Sequence, residues 1–92
     1  MDILTSKLTP SEQAIESSVG DETVLLNLEN GTYYGLDPVG TRIWALLKQG
    51  MPAPEICTVL VAEYEEVELE VIEADVRRFL TDLKTHGIVV EG

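Results

Sequence analysis

The chain has one cysteine, one histidine and only six lysines and arginines in 92 residues. Each scarcity excludes something. With Cys57 alone, no disulfide can close within the chain, and nothing points to secretion. Six basic residues against 17 acidic ones leave a formal charge of −11. A surface of that sign repels phosphate backbones, whose capture depends on Lys and Arg displacing counterions, and it disfavours an anionic membrane face. No stretch approaches the roughly 18–20 apolar residues of a spanning helix. The opening MDILTSKLTPSEQ has no basic segment followed by an apolar one, so it is not a signal peptide. The expectation is a soluble protein of the reducing cytoplasm, with neither nucleic acid nor membrane as partner. The acidity either serves solubility or favours a neutral or basic partner.

What is present suffices for one small domain over residues 1–92, with 45% hydrophobic residues to fill a modest core. Residues 1–11 carry no firm pattern and read as a mobile or loosely docked arm. A short strand over Glu12–Ser17 and turn chemistry at Val19-Gly20-Asp21 follow. From Glu22 to Leu28 the pattern alternates, with Val24, Leu26 and Leu28 on one face and Thr23, Leu25 and Asn27 on the other. Asn30-Gly31 is a strong hairpin signal, because both residues tolerate positive φ. Thr32–Leu36 is the returning strand. Asp37-Pro38 then starts a helix, the carboxylate capping an orphan N–H and the proline occupying a position whose N–H would be wasted. Val39, Ile43, Leu46 and Leu47 form its apolar stripe, with Trp44 at the margin and Gly50 as the stop.

A second helix runs from Pro52–Pro54 to about Glu63 or Tyr64, with Ile56, Val59 and Leu60 inward. Glu65–Glu70 reads as a connection. The third helix has the strongest period: Ile72, Val76, Phe79, Leu80 and Leu83, with Glu70 and Glu73 in the first turn and Lys84 and His86 in the last. Ile88-Val89-Val90 closes the chain as a short strand. The expected fold class is α+β: an N-terminal three-stranded antiparallel sheet packed on a three-helix bundle of winged helix-turn-helix type. That outline alone suggests a transcription regulator, but fold does not carry function. The would-be recognition helix holds Glu70, Glu73 and Asp75 against Arg77 and Arg78, so the basic footprint of DNA binding is missing.

Candidates for chemistry are few. Cys57 would need a nearby base to act as a nucleophile, and His86 lies at the end of another helix. The cluster Glu65, Glu66, Glu68 and Glu70 lacks the loop spacing and glycine of a calcium site and reads as a solvated patch. No phosphate-binding loop, dinucleotide fingerprint, zinc spacing or catalytic triad is present. The expectation is no enzyme, no cofactor and no metal. Tyr33 and Tyr34 are more informative, since neighbours in a strand point to opposite faces. Gly31, Thr32 and Gly35 keep side-chain bulk low along that strand. At a sheet edge, its free N–H and C=O groups can template a strand from another chain. A third helix packed beside it would leave a trough.

The stretch VLLNLENGTYYGLDPVGTRIWALL resembles the PqqD-like family of leader-recognition elements for ribosomally made, modified peptides. The shared order is an aliphatic strand, a polar turn with Gly, an aromatic-Gly-Leu step, then a polar-aliphatic-Gly step into a helix with Ile-Trp and Leu-Leu. EADVRRFLTDLKTHGIVV matches the family's last part, so the resemblance covers about residues 12–90. It implies a three-stranded sheet on a winged-helix bundle that binds the leader of a precursor peptide as an added strand and presents it to a maturation enzyme. The implied contact residues are Thr32, Tyr33, Tyr34, Gly35 and Leu36 on the strand, and Val76, Phe79, Leu80 and Leu83 on the helix. The short arm and the NLENGTYYGLDPVGTRIW wording resemble the lasso-peptide type most, where the partner is a leader peptidase of cysteine-protease type. The alternative is a peptide chaperone for a radical-SAM enzyme in pyrroloquinoline quinone synthesis.

Overall fold

The computed structural model describes residues 3–91. A single turn of 3₁₀ helix, Ile3–Thr5, leads into β1 (Leu8–Pro10). Strands β2 (Ala14–Val19), β3 (Glu22–Asn27) and β4 (Thr32–Leu36) follow, and then helices α1 (Pro38–Lys48), α2 (Ala53–Glu63) and α3 (Leu69–Thr85). The last strand is β5 (Val89–Glu91). Strands β2, β3 and β4 form one antiparallel sheet in chain order, while β1 and β5 pair antiparallel as a separate ribbon. The α+β architecture expected from the sequence is present, with the sheet preceding three helices.

Alternation decides which side of the sheet meets the helices. Leu25, Asn27, Tyr34 and Leu36 turn inward, and Leu25 and Leu36 are buried. Ile15, Ser17 and Val19 of β2, Val24 and Leu26 of β3, Leu28 just beyond it, and Tyr33 and Gly35 of β4 turn outward. Beneath the sheet, Ile43, Leu46 and Leu47 of α1, Ile56 and Leu60 of α2, and Ile72, Val76, Leu80 and Leu83 of α3 make the core. Full burial of each such side chain contributes about 1.5–3 kcal/mol.

Several sequence expectations change in the structure. The arm expected over residues 1–11 is docked from residue 3 onward, its first two residues lying outside the described part. Leu4 and Leu8 are buried in the core, β1 pairs with β5, and the Ser11 N–H donates to the Ile88 carbonyl at 2.8 Å. Two leucines with a place in the core outweigh a short segment's lack of pattern. Strand β2 runs two residues later than expected, because its register carries Val19 opposite Glu22 and leaves only Gly20 and Asp21 in the turn. Gly20 takes φ +63° there.

The β3–β4 hairpin forms, but Asn30 keeps a negative φ and only Gly31 is positive, at +72°. Asn30 instead accepts the Thr32 N–H on its side-chain oxygen, 2.9 Å away. Trp44 is buried rather than marginal. Its Nε1 donates to Glu16 Oε1 at 2.7 Å, where Lys48 Nζ also donates at 2.6 Å. Lys48 and, less strongly, the indole hold the Glu16 carboxyl below the usual range against partial desolvation.

Helix α1 begins as Asp37-Pro38 requires: Asp37 Oδ1 accepts the Gly40 N–H at 2.6 Å. The sheet is fastened to the far end of α3 by one buried amide. Asn27 Nδ2 donates to the His86 carbonyl at 2.9 Å, and Asn27 Oδ1 accepts the Glu29 N–H at 2.9 Å. Gly87 makes room for it, with φ +71°; a Cβ there would stand 2.7 Å from Asn27 Nδ2. Replacing Asn27 with Ala leaves both partners without a bond, at about 1–3 kcal/mol. In a domain of this size the melting temperature is expected to fall by about 4–8 °C per kcal/mol, measurable by circular dichroism. An unchanged melting temperature would mean that the amide contributes nothing net.

Candidate peptide-binding groove

Strand β4 is the last in its sheet, so one of its edges has no strand beside it. On its inward side lies α3. Tyr34 crosses from β4 to that helix: its ring meets Phe79 edge-on at 6.0 Å and His86 at 5.3 Å, and its hydroxyl donates to Asp82 Oδ2 at 3.1 Å. His86 in turn places Nδ1 2.7 Å from the Asp82 carbonyl. This aromatic group closes the space between strand and helix at the C-terminal end of α3.

Toward the N-terminal half of α3 the space is open. One hollow of about 150 Å³ is lined by Tyr34, Gly35, Leu36, Asp37, Arg78 and Phe79. A second, of about 100 Å³, is lined by Asp37, Val39, Gly40, Ile43, Asp75, Arg78 and Phe79. They share Asp37, Arg78 and Phe79 and so make one trough running from β4 to the first turn of α1. Gly40 allows its depth. A Cβ at that position would meet Phe79 Cε1 at 3.0 Å, so the ring lies against bare backbone. Arg78 is exposed at the rim, with Asp75 Oδ1 3.6 Å from its guanidinium. An extended chain laid along β4 would find main-chain groups on one side and this trough on the other.

The implied contact residues divide sharply. Tyr34, Gly35, Leu36 and Phe79 line the trough. Thr32 is half-buried on the inward face, and Tyr33 stands outward at 71% exposure. Val76, Leu80 and Leu83 are fully buried in the core. On α3 the other residues lining the trough are polar, Asp75 and Arg78, while Asp82 belongs to the closed end, where it accepts the Tyr34 hydroxyl. Asp75 lies four residues before Phe79 and shares its face, while Arg78, one residue before it, stands about 100° around the helix and three residues from Asp75, at the rim. Ranking by hydrophobicity passes over both, while counting along the helix from Phe79 reaches Asp75, and from Asp75 reaches Arg78. Gly40 enters the sequence reading only as the glycine of the polar-aliphatic-Gly step, with no role in binding attached to it.

Elsewhere, Cys57 is buried and desolvation pushes its thiol up, so it remains a neutral core side chain. Glu65, Glu66, Glu68 and Glu70 are exposed. Among the described residues, no helix is long and apolar enough to cross a membrane. A separate cavity of about 490 Å³ is lined by residues 4–9, Leu47, the α1–α2 connection with the start of α2, and Leu80.

The family described as coenzyme PQQ synthesis protein D (PqqD) matches residues 22–89, and the chain belongs to it. Two solved structures are similar. TbiB1 in complex with the TbiA(beta) leader peptide shares 41% identity over 88% of this chain and 93% of that one, with a TM-score of 0.80. A lasso peptide synthetase B1 complexed with the leader peptide shares 25% identity over 92% of this chain and 99% of that one, with a TM-score of 0.82. No curated protein matches at a significant level.

Burial first, and then the bond to the Asp82 carboxylate, pushes the Tyr34 phenol up. The neutral phenol therefore persists in the fold to higher pH than in the unfolded chain. Its contribution to stability is complete below the ordinary tyrosine range and is lost as pH rises through the folded value. Melting temperature followed into strongly alkaline solution is expected to fall more steeply for the wild type than for Tyr34→Phe. Parallel curves would show that the phenol is not coupled to the fold.

Proposed function

We propose that the protein is a non-catalytic adaptor that binds the leader of a ribosomally made precursor peptide. The leader adds to the β2–β3–β4 sheet along β4, with alternate side chains entering the trough beside Phe79. The adaptor raises the leader's effective concentration at a maturation enzyme, here a leader peptidase of cysteine-protease type. The observation that carries this reading is the open β4 edge facing a trough on α3, in a chain 41% identical to a protein solved with a leader peptide. The family's description points to quinone-cofactor synthesis, but both similar structures hold leader peptides, one on a lasso peptide synthetase B1, and this favours a lasso-type leader. Acidic groups lining the trough, Asp37 and Asp75, suit a leader carrying Lys or Arg. The apolar anchors supply most of the affinity.

The test is a fluorescence-anisotropy titration with a labelled leader taken from the precursor gene adjoining that of the protein. Saturable submicromolar binding that survives moderate salt is expected, and absence of binding would overturn the reading. Phe79→Asp is expected to weaken binding roughly thirtyfold, the ~2 kcal/mol of an interface anchor. Its far-UV circular dichroism should stay native. Gly40→Ala, which displaces the Phe79 ring by a few tenths of an ångström, is expected to weaken binding by a smaller factor. Full affinity in both variants with the fold intact would move the site away from the trough.

A further inference from the structure

The cavity of about 490 Å³ between residues 4–9 and the α1–α2 connection takes no part in the trough, and shares no lining residue with either hollow beside β4. Its volume falls within the roughly 300–1,000 Å³ of small-molecule sites. Its floor is the core itself: Leu4, Leu8, Leu47, Ala53 and Leu80 line it and are buried. The wall formed by the α1–α2 connection offers few hydrogen-bond donors. Pro52 and Pro54 have no N–H. The N–H groups of Gly50 and Met51 already donate to the carbonyls of Leu47 and Leu46, at 3.0 and 3.3 Å. Such a space suits hydrocarbon and gives water little to bind.

One charge belongs to this cavity. Lys7 lines it and is exposed. Arg42, Lys48, Arg78 and Lys84 each have a carboxylate at 3.6 Å or less. Among the described residues Lys7 has no such partner, although the chain carries 17 acidic side chains for six basic ones. An ammonium without an acid beside an apolar space complements a molecule of the same two parts, an anionic head and a hydrocarbon body. A single ammonium matches a single negative charge. A doubly charged phosphate would keep one charge unmatched in the field of a chain of net charge −11, so the complementary head is a carboxylate.

We propose that this cavity is a binding site for a small amphipathic monocarboxylate, its hydrocarbon chain lying over Leu4, Leu47 and Leu80 and its carboxylate at the rim against Lys7. The site is separate from the trough, and the proposal stands whether or not the leader-binding reading does.

The experiment titrates octanoate, decanoate, decanol and decyl phosphate, each below its micellar concentration, into the full chain and follows backbone amides by NMR. Saturable shifts are expected at Lys7, Leu8, Gly50 and Met51, with Gly35 and Gly40 of the trough unmoved. Decanoate is expected to bind about tenfold more tightly than octanoate, the effect of two further buried methylenes, and more tightly than decyl phosphate. Lys7→Gln should weaken decanoate about threefold and Lys7→Glu about tenfold, while decanol binds all three proteins alike. Lys7 is exposed, so both variants keep the fold, which far-UV circular dichroism checks. Met51→Trp, which fills the cavity from its wall, should weaken decanoate and decanol together. No saturable shift at the cavity would overturn the proposal, as would shifts at Gly35 and Gly40 in its place. Equal decanoate affinity in the wild type and both Lys7 variants would remove the carboxylate from Lys7 and overturn it too. Tighter binding of decyl phosphate than of decanoate would overturn the assignment of a monocarboxylate.

Discussion

One buried amide governs the spacing on which everything else depends. The trough exists only if β4 and α3 hold a fixed separation, and those two elements are far apart in the chain. Asn27 connects them: it belongs to the strand hydrogen-bonded to β4, and its Nδ2 reaches the carbonyl of His86 at the end of α3. The bond is satisfied on both sides of the amide, so no buried polar atom is left exposed to the apolar core. Tyr34 makes a second connection a few ångströms away, through Asp82 and the rings of Phe79 and His86. Together they fasten one end of the strand–helix gap and leave the other open. A pliable apolar contact could not do this, because hydrogen bonds prescribe direction as well as distance.

Charge and packing divide the labour over the rest of the surface. The ion pairs of Arg42 with Glu63 and Lys84 with Glu91 sit in solvent and contribute little each. The excess of acid therefore acts mainly as a long-range field, weakening with salt. Stability is left to the core, which draws on the 3₁₀ turn, four of the five strands and all three helices. A domain this small has few residues to spare, and that explains why even the first segment contributes Leu4 and Leu8.

Most of the architecture was legible from periodicity and punctuation. Asp37-Pro38 marked the start of α1 within one residue, and the Ile72–Leu83 spacing marked α3. What was not legible came from pairings between distant parts of the chain. The docking of residues 3–10 depends on β5, almost the whole chain away, and no local pattern announces it. Asn30-Gly31 signalled a hairpin correctly, but the four residues between the paired Asn27 and Thr32 relieve Asn30 of positive φ. At the trough, hydrophobic period pointed to Val76, Leu80 and Leu83, which the core takes for itself. Phe79 lies at the edge of that stripe, and Asp75 belongs to the trough because it shares that face one turn earlier, with Arg78 at the rim beside it. Gly40 was visible as the glycine of the motif, but its role was not: it carries no side chain where Phe79 needs space.

The ribbon of β1 with β5 brings the two ends of the described chain side by side, Leu8 against Glu91. A second protein joined after β5 would therefore leave the domain beside the start of β1, while one joined at the front would connect through residues 3–7, which Leu4 holds to the core. Both attachments lie outside the β2–β3–β4 sheet. Such a domain can be attached to an enzyme at the front or at the back, or inserted into one of its loops, without redesigning how a captured peptide is held relative to the catalytic partner.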